Sequence, residues 1–254
     1  SAGTCPLHTS PSTTTASTIG ADAYHQIEAV HFTLREQLAI RPEQAVYAEF
    51  LEAARMRIRA LYGLDAQTAI AFGPSGTDLE YLALALALRS GQPVCNLVVE
   101  VDEVGSGCQL SQAGRYFAPR TALGHAVEKG APLPGFDPDR IRVETLRMRG
   151  DTGPLQPVRA YARMLDDAIA GALSRGERPL VHVIHRSKTG IIAPSLDGLD
   201  AILSRFACRI EGAVDACQGR ISPEAITGYL ARGAMVFVTG SKFFGGPPFS
   251  AFAL

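Results

Sequence analysis

The chain has 254 residues, 46% of them hydrophobic and 19% charged, an ordinary globular composition with ample length for one full core. A formal net charge of -1 gives no electrostatic case for nucleic acid or an anionic membrane surface, so any anion site here is local. Five cysteines, an odd number without a Cys-x-x-Cys pair, make neither a disulfide framework nor a zinc knuckle and point to a reducing, cytoplasmic compartment.

Residues 1–20 are rich in Ser and Thr and lack both a basic and an apolar segment of the kind a secretory leader needs. They read as a flexible N-terminal arm ahead of one large domain, residues 21–254. Helical patterns follow over Ala21 to Ile40 and Pro42 to Tyr62, with Pro42 suited to a first turn and Gly63 just past the end. Arg55, Arg57 and Arg59 alternate, so they do not share a helix face and read as solvated surface.

A short strand from Thr68 to Phe72 leads through Gly73-Pro74-Ser75-Gly76-Thr77 into a helix reaching Arg89. Such a turn leaves backbone amides and hydroxyls free at a helix N-terminus, which suits an anion, although Ser75 or Thr77 also serves as an ordinary N-cap. The apolar helical stretch Leu79 to Leu88 is too short to span a bilayer. Pro93 to Val101 has the continuous apolar character of a parallel strand covered on both faces. Gly105 and Gly107 then permit close backbone approach in a loop that also holds Cys108, for which no activating base is assignable.

Between Arg120 and Pro157 the chain is irregular apart from a strand at Ile141 to Leu146. A helix at Pro157 to Arg175 and a strand at Pro179 to Ile184 follow, the strand running on into His185-Arg186-Ser187-Lys188-Thr189-Gly190. His182 and His185 fall on opposite faces of that strand and do not form a metal pair. A helix at Leu196 to Arg205 leads into a strand at Ala207 to Asp215, closed by Ala216-Cys217-Gln218. Met235 to Thr239 is another buried strand, and Lys242 follows it among small residues, phenylalanines and a Gly/Pro turn. Burial disfavours the charged ammonium and frees an amine able to form a Schiff base, whereas a solvated lysine at a strand end is the bland alternative.

Strands alternating with helices imply a mostly parallel sheet with helices on both faces, and ligands in such sheets gather at the carboxyl ends of the strands. Ser75, Ser187, Asp215 and Lys242 all fall there. An anion cradle, a buried acid and a lysine in that chain order resemble the fold-type I pyridoxal-phosphate (PLP) enzymes, in particular the aminotransferase class V group that includes the cysteine desulfurases. The resemblance covers Glu43 to the C-terminus. It implies an α/β three-layer sandwich, the large domain of that fold, with the C-terminal small domain absent from this chain. It also implies that Ser75, Gly76 and Thr77 hold the cofactor phosphate, Asp215 pairs with the pyridine nitrogen and Lys242 forms the internal aldimine. Gln218 and Ser187 match contacts to the phenolic oxygen, with Ser187 standing where the family has Asn, and Thr239 matches a hydroxyl that reaches the phosphate.

The family's ring-stacking aromatic is missing from the loop at 102–108, which leaves Val104 or, from further on, Tyr116, Phe117 or His125. The resemblance implies an amino-acid substrate and a transferase or lyase reaction. It also implies a homodimer or a heteromer with a chain carrying the C-terminal domain, because only twelve residues follow Lys242 and the split or cleaved enzyme is one expectation. A catalytically silent subunit or scaffold is the second reading. A nucleotide-binding α/β domain is the third, weakened because Gly73 to Thr77 has neither dinucleotide glycine spacing nor a Lys-Ser/Thr ending.

Overall fold

The computed structural model describes residues 19–150 and 153–254, so the expected arm lies almost wholly outside the described residues. Among the described residues eight strands form one sheet: β1 (Ala71–Gly73), β2 (Val94–Val99), β3 (Ile141–Leu146), β4 (Arg178–His185), β5 (Ile192–Ala193), β6 (Glu211–Asp215), β7 (Met235–Thr239) and β8 (Ala251–Ala253). Their order is β1-β8-β7-β6-β4-β2-β3, with β5 turning back onto the end of β4. From β7 to β3 all neighbours are parallel. β8 is antiparallel to both β7 and β1, and Thr239 opposite Ala251 makes residues 240–250 the connection of a hairpin.

Seven α-helices complete the described fold: α1 (Ala21–Leu38), α2 (Glu43–Tyr62), α3 (Gly76–Leu88), α4 (Cys108–Gln112), α5 (Val158–Ser174), α6 (Leu196–Phe206) and α7 (Pro223–Leu230). Their ends follow local chemistry. Ser75, Ser195 and Ser222 each accept a hydrogen bond from a first-turn amide at the start of α3, α6 and α7. Gly63 ends α2 in the left-handed region at φ 62°, where a Cβ would strain the chain. The strand expected from Ala207 begins only at Glu211, because Ala207 turns to φ 46° and opens a 3-10 turn.

Helices cover both faces of the sheet, giving three layers. On one face α3 buries Leu79, Ala83, Leu84 and Ala87 against Val94, Leu180, Ala213 and Phe237. On the other, α5 packs Leu165 and Ile169 against Leu97, Val99 and Val181, while α7 packs Ile226 and Tyr229 against Val183, Val214 and Val236. Each buried Leu, Ile, Val or Phe among these contributes roughly 1.5–3 kcal/mol, so the sheet centre carries the stability and holds the strand ends in place. α1 differs: none of its residues is buried, and Phe32 and, on α2, Tyr47 are 63% and 61% exposed. No helix among the described residues is long and apolar enough to cross a membrane.

Candidate active site

The N-terminus of α3 is built for close approach. Ser75 caps the helix through Asp78 N at 3.2 Å and donates its hydroxyl to the Asp78 carboxylate at 2.5 Å. The amides of Gly76 and Thr77 open the helix and have no partner within it. A methyl group on Gly76 would overlap the Cys217 Sγ and lie 3.6 Å from Thr239 Cγ2. The cradle therefore touches both the turn after β6 and the end of β7. On its other side Thr77 Oγ1 is 3.7 Å from Cys108 Sγ, and a Cβ on Gly105 would stand 3.3 Å from Thr77 Oγ1.

Cys217 links the remaining groups. Asp215 Oδ1 accepts its backbone N–H at 2.9 Å, and Thr239 Oγ1 donates to its carbonyl at 2.7 Å. Burial pushes the Cys217 thiol well above its ordinary range, the charge of Asp215 adds to this, and Lys242 pulls it back. Burial likewise raises the Cys108 thiol, with Glu80 and Asp215 adding to it, so neither cysteine is an activated nucleophile.

Lys242 lies in the β7–β8 hairpin connection, whose backbone is stitched by Gly240 N to Ser250 O (2.7 Å), Gly246 N to Gly240 O (2.8 Å) and Gly245 N to Lys242 O (3.0 Å). It is half-buried rather than enclosed, which corrects the sequence expectation of a lysine stripped of water. Its Nζ has no hydrogen-bond or ion-pair partner among the described residues, and neither has the half-buried Gln218 side chain. Phe243 and Phe244 flank the lysine at 67% and 50% exposure. Gly20 N donates to Gly245 O at 2.9 Å, so the chain enters the described fold beside this loop.

Two expected contacts are already engaged elsewhere. The Thr239 hydroxyl, expected at a phosphate, gives its proton to Cys217 O and is 3% exposed. Ser187, expected as a donor to the phenolic oxygen, gives its proton to Glu103 Oε2 at 2.7 Å. Sequence reasoning did not find Glu103, a buried carboxylate that also accepts from Thr189 N (3.0 Å), Thr189 Oγ1 (2.6 Å) and Arg149 Nη2 (3.1 Å). Burial opposes its ionisation, but the bonds from Thr189, Ser187 and Arg149 outweigh that and hold the carboxyl down to about 2. Glu103 thereby clamps the turn after β4 onto the turn after β2. Both turns begin on a strained residue, Glu100 at φ 42° and Arg186 at φ 47°.

Val104, offered as a cover for a cofactor ring, is instead 3% exposed within the core beneath α5. Phe117 instead lies beside the cradle: a Cβ on Gly107 would stand 3.0 Å from Phe117 Cδ2 and 3.1 Å from Thr77 Cγ2. His125 is exposed, and Tyr116 is tied by its backbone to Ala131. His185 turns to the opposite face of the sheet, where its Nδ1 is 3.0 Å from Tyr229 Oη. A groove of about 580 Å³ between β3 and α5 includes none of these residues among its walls.

No known family's sequence profile matches the chain, and no curated protein does. Solved structures do match. The glutamate decarboxylase domain of a diaminobutyrate-pyruvate transaminase and L-2,4-diaminobutyrate decarboxylase from Vibrio parahaemolyticus is similar at TM-score 0.61 and 16% identity, over 94% of this chain and 50% of that one. The protein TDC of Oryza sativa, solved with PLP, is similar at 0.58 and 15%, over 93% and 50%. A cysteine desulfurase from Thermococcus onnurineus NA1 is similar at 0.57 and 15%, over 94% and 51%. The chain spans about half the length of these solved chains. Its layers, its sheet and these likenesses together give it the fold of the large domain of the fold-type I PLP-dependent enzymes.

Proposed function

We propose that this chain is the cofactor-binding domain of a PLP-dependent enzyme acting on an amino acid. One observation carries the reading: the turn at Cys217, whose N–H is accepted by Asp215 at 2.9 Å, lies against the α3 N-terminus at Gly76 and is held by Thr239, three residues before Lys242, so an anion cradle, an acid and an amine share one neighbourhood. The donor set fits the group. Gly76 and Thr77 amides with Ser75 would hold the phosphate, helped by the positive end of the helix. Asp215 would face the ring nitrogen, Gln218 the phenolic oxygen and Phe117 the ring. Thr239 and Ser187 act one layer behind, fixing the turn at Cys217 and the turn after β4.

Bound PLP supplies an electron sink for negative charge at the alpha carbon of an amino acid. The chain's own part is to hold and tune. Lys242 Nζ would be the amine that holds the aldehyde carbon, and the same amine, when free, would take and return the alpha proton. An anionic Asp215 would keep a proton on the ring nitrogen of the bound cofactor. The Gly and Phe walls at Gly105, Gly107 and Phe117 narrow the space beside Thr77 and limit water. This logic serves transfer, decarboxylation and desulfuration alike; the chain order of cradle, Asp-x-x-Gln and lysine favours the class V and desulfurase-like group. The exposed apolar side chains of α1 and α2 suit a partner chain, either a second copy or one carrying the small domain, in a cytoplasmic assembly.

The test is direct. Protein incubated with PLP should turn yellow, and borohydride reduction with peptide mapping should place the label on Lys242. Colourless protein after incubation, or a label on another lysine, refutes the proposal.

A further inference from the structure

The turn that carries the acid and the turn that carries the lysine meet on two aromatic side chains that the proposed chemistry does not use. Ala216 O accepts from Gly219 N at 2.8 Å, which closes a turn with Cys217 and Gln218 at its centre. Lys242 O accepts from Gly245 N at 3.0 Å, which closes a second turn with Phe243 and Phe244 at its centre. Gly219 is buried and sits at φ 73°, in the left-handed region that glycine adopts without strain. A Cβ there would stand 3.0 Å from Phe244 Cε2, 3.2 Å from Phe244 Cδ2 and 3.3 Å from Phe243 Cβ. The Phe244 ring thus lies against the space that a side chain at 219 would fill. The two rings brace each other edge to face, with centroids 5.7 Å apart and planes at 78°.

The strands alone do not fix how far apart these turns stand. β6 and β7 pair in register as far as Asp215 opposite Phe237, and Thr239 Oγ1 then bonds Cys217 O. Past that tie, no hydrogen bond among the described residues joins 218–220 to 240–250. Gln218 and Lys242 both lie past it. Across the gap the structure shows side-chain packing instead, Phe243 and Phe244 on Gly219. A flat, rigid cofactor ring that faces an acid at one end and an amine at the other leaves little tolerance in that spacing.

We propose that Phe244, seated on Gly219, is a positioning residue that sets the distance of Lys242 from the turn of Asp215 and Gln218. The inference rests on the proposed PLP site, although the seat is a feature of the chain alone. Phe244→Ala removes the ring and leaves the α3 cradle and Asp215 in place. Capture of PLP, in which Nζ bonds to the aldehyde carbon and the aldehyde oxygen leaves as water, should slow about tenfold or more. Affinity for pyridoxine phosphate, which has an alcohol where PLP has the aldehyde, should stay within about twofold of wild type. A loosened domain would lose both together. Phe244→Tyr keeps the ring and should capture PLP within about twofold of wild type. Gly219→Ala pushes the ring from its seat and should also slow capture, and adding Phe244→Ala should slow it by no more than about a further twofold. A further readout needs no cofactor: the Gly219 α-protons should be displaced from ordinary glycine positions by the Phe244 ring current and return toward them in Phe244→Leu. Capture at the wild-type rate in a folded Phe244→Ala, equal losses for PLP and pyridoxine phosphate, or Gly219 α-protons unmoved by Phe244→Leu overturns the proposal. Should Phe244→Ala not fold, Phe244→Leu replaces it in both assays with the same outcomes. Wild-type protein that takes up neither compound overturns the functional reading instead, and the α-proton shift still decides whether the two turns are seated on each other.

Discussion

Adding one methyl group at Gly76 tests whether the cradle and the acid's turn are one unit. Gly76 is the first residue of α3, and Ala there gains up to about 1 kcal/mol of helix propensity over Gly. Against this stands the overlap with Cys217 Sγ and a 3.2 Å approach to Cys217 Cβ. Cys217 is 5% exposed, its N–H is held by Asp215 and its carbonyl by Thr239, so it cannot yield without moving both. Overpacking of this kind costs about 1–3 kcal/mol, which exceeds the propensity gain. Gly76→Ala should therefore lose about 1–2 kcal/mol of stability and at least about tenfold in PLP affinity. Cys217→Ala removes the sulfur and leaves the 3.2 Å contact, which a small shift accommodates. In a double-mutant cycle read by urea denaturation and PLP titration, the pair should show a coupling of about 1 kcal/mol or more, with affinity partly restored. Additivity within about 0.5 kcal/mol would refute the reasoning.

Other substitutions separate charge from scaffolding. Asp215→Asn keeps the oxygen that accepts Cys217 N–H, so the melting curve should change by less than about 0.5 kcal/mol in stability while PLP-dependent turnover falls about a hundredfold or more; equal losses in both would show that Asp215 is structural. Burial, aided by Arg186, holds His185 near 4 against an ordinary 6.5. Its contribution is thus present above pH 6.5 and is lost as pH falls toward 4, by up to about 3 kcal/mol. Urea midpoints of His185→Gln should vary less than wild type across that window, and parallel pH curves would count against it. Glu103 titrates near 2 against 4.5, so its contribution is present above pH 4.5 and lost toward pH 2. The stability gap between wild type and Glu103→Gln should be a few kcal/mol at pH 7 and narrow below pH 4.5; a gap constant down to pH 2.5 would remove the clamp.

Composition and periodicity found the strands that end at Asp215 and Thr239 because both are short apolar runs closed by polar turn residues, and they found α3 because Ser75 and Asp78 announce a helix start. The antiparallel direction of β8 was not legible, since direction depends on the length and turns of residues 240–250. α7 was missed although Ser222-Pro223 is a cap followed by a first-turn proline, because its run is only eight residues long. Glu103 could not be read at all: its partners lie 46 to 86 residues away, and no local pattern encodes such a pairing. Val104 misled for the opposite reason. An apolar residue in a glycine loop looks available to a ligand until the fold turns it into the core.

Where the hydroxyls point explains how this site divides its labour. Thr239 and Ser187 both look like ligand contacts in the sequence, yet each spends its proton inside the protein, one on the Cys217 carbonyl and one on Glu103. Their effect is to immobilise the turns that carry Asp215 and face the end of β4. Lys242 is treated differently: its backbone is pinned by the hairpin's own amides, while its side chain has no partner among the described residues. On the proposed reading the lysine would have to travel between holding a cofactor and moving a proton, and a salt bridge or hydrogen bond to Nζ would have to be broken each time. The fold thus fixes the turns near the lysine through Cys217, Glu103 and the α3 N-terminus, and leaves Nζ the rotamer freedom that the proposed chemistry would require.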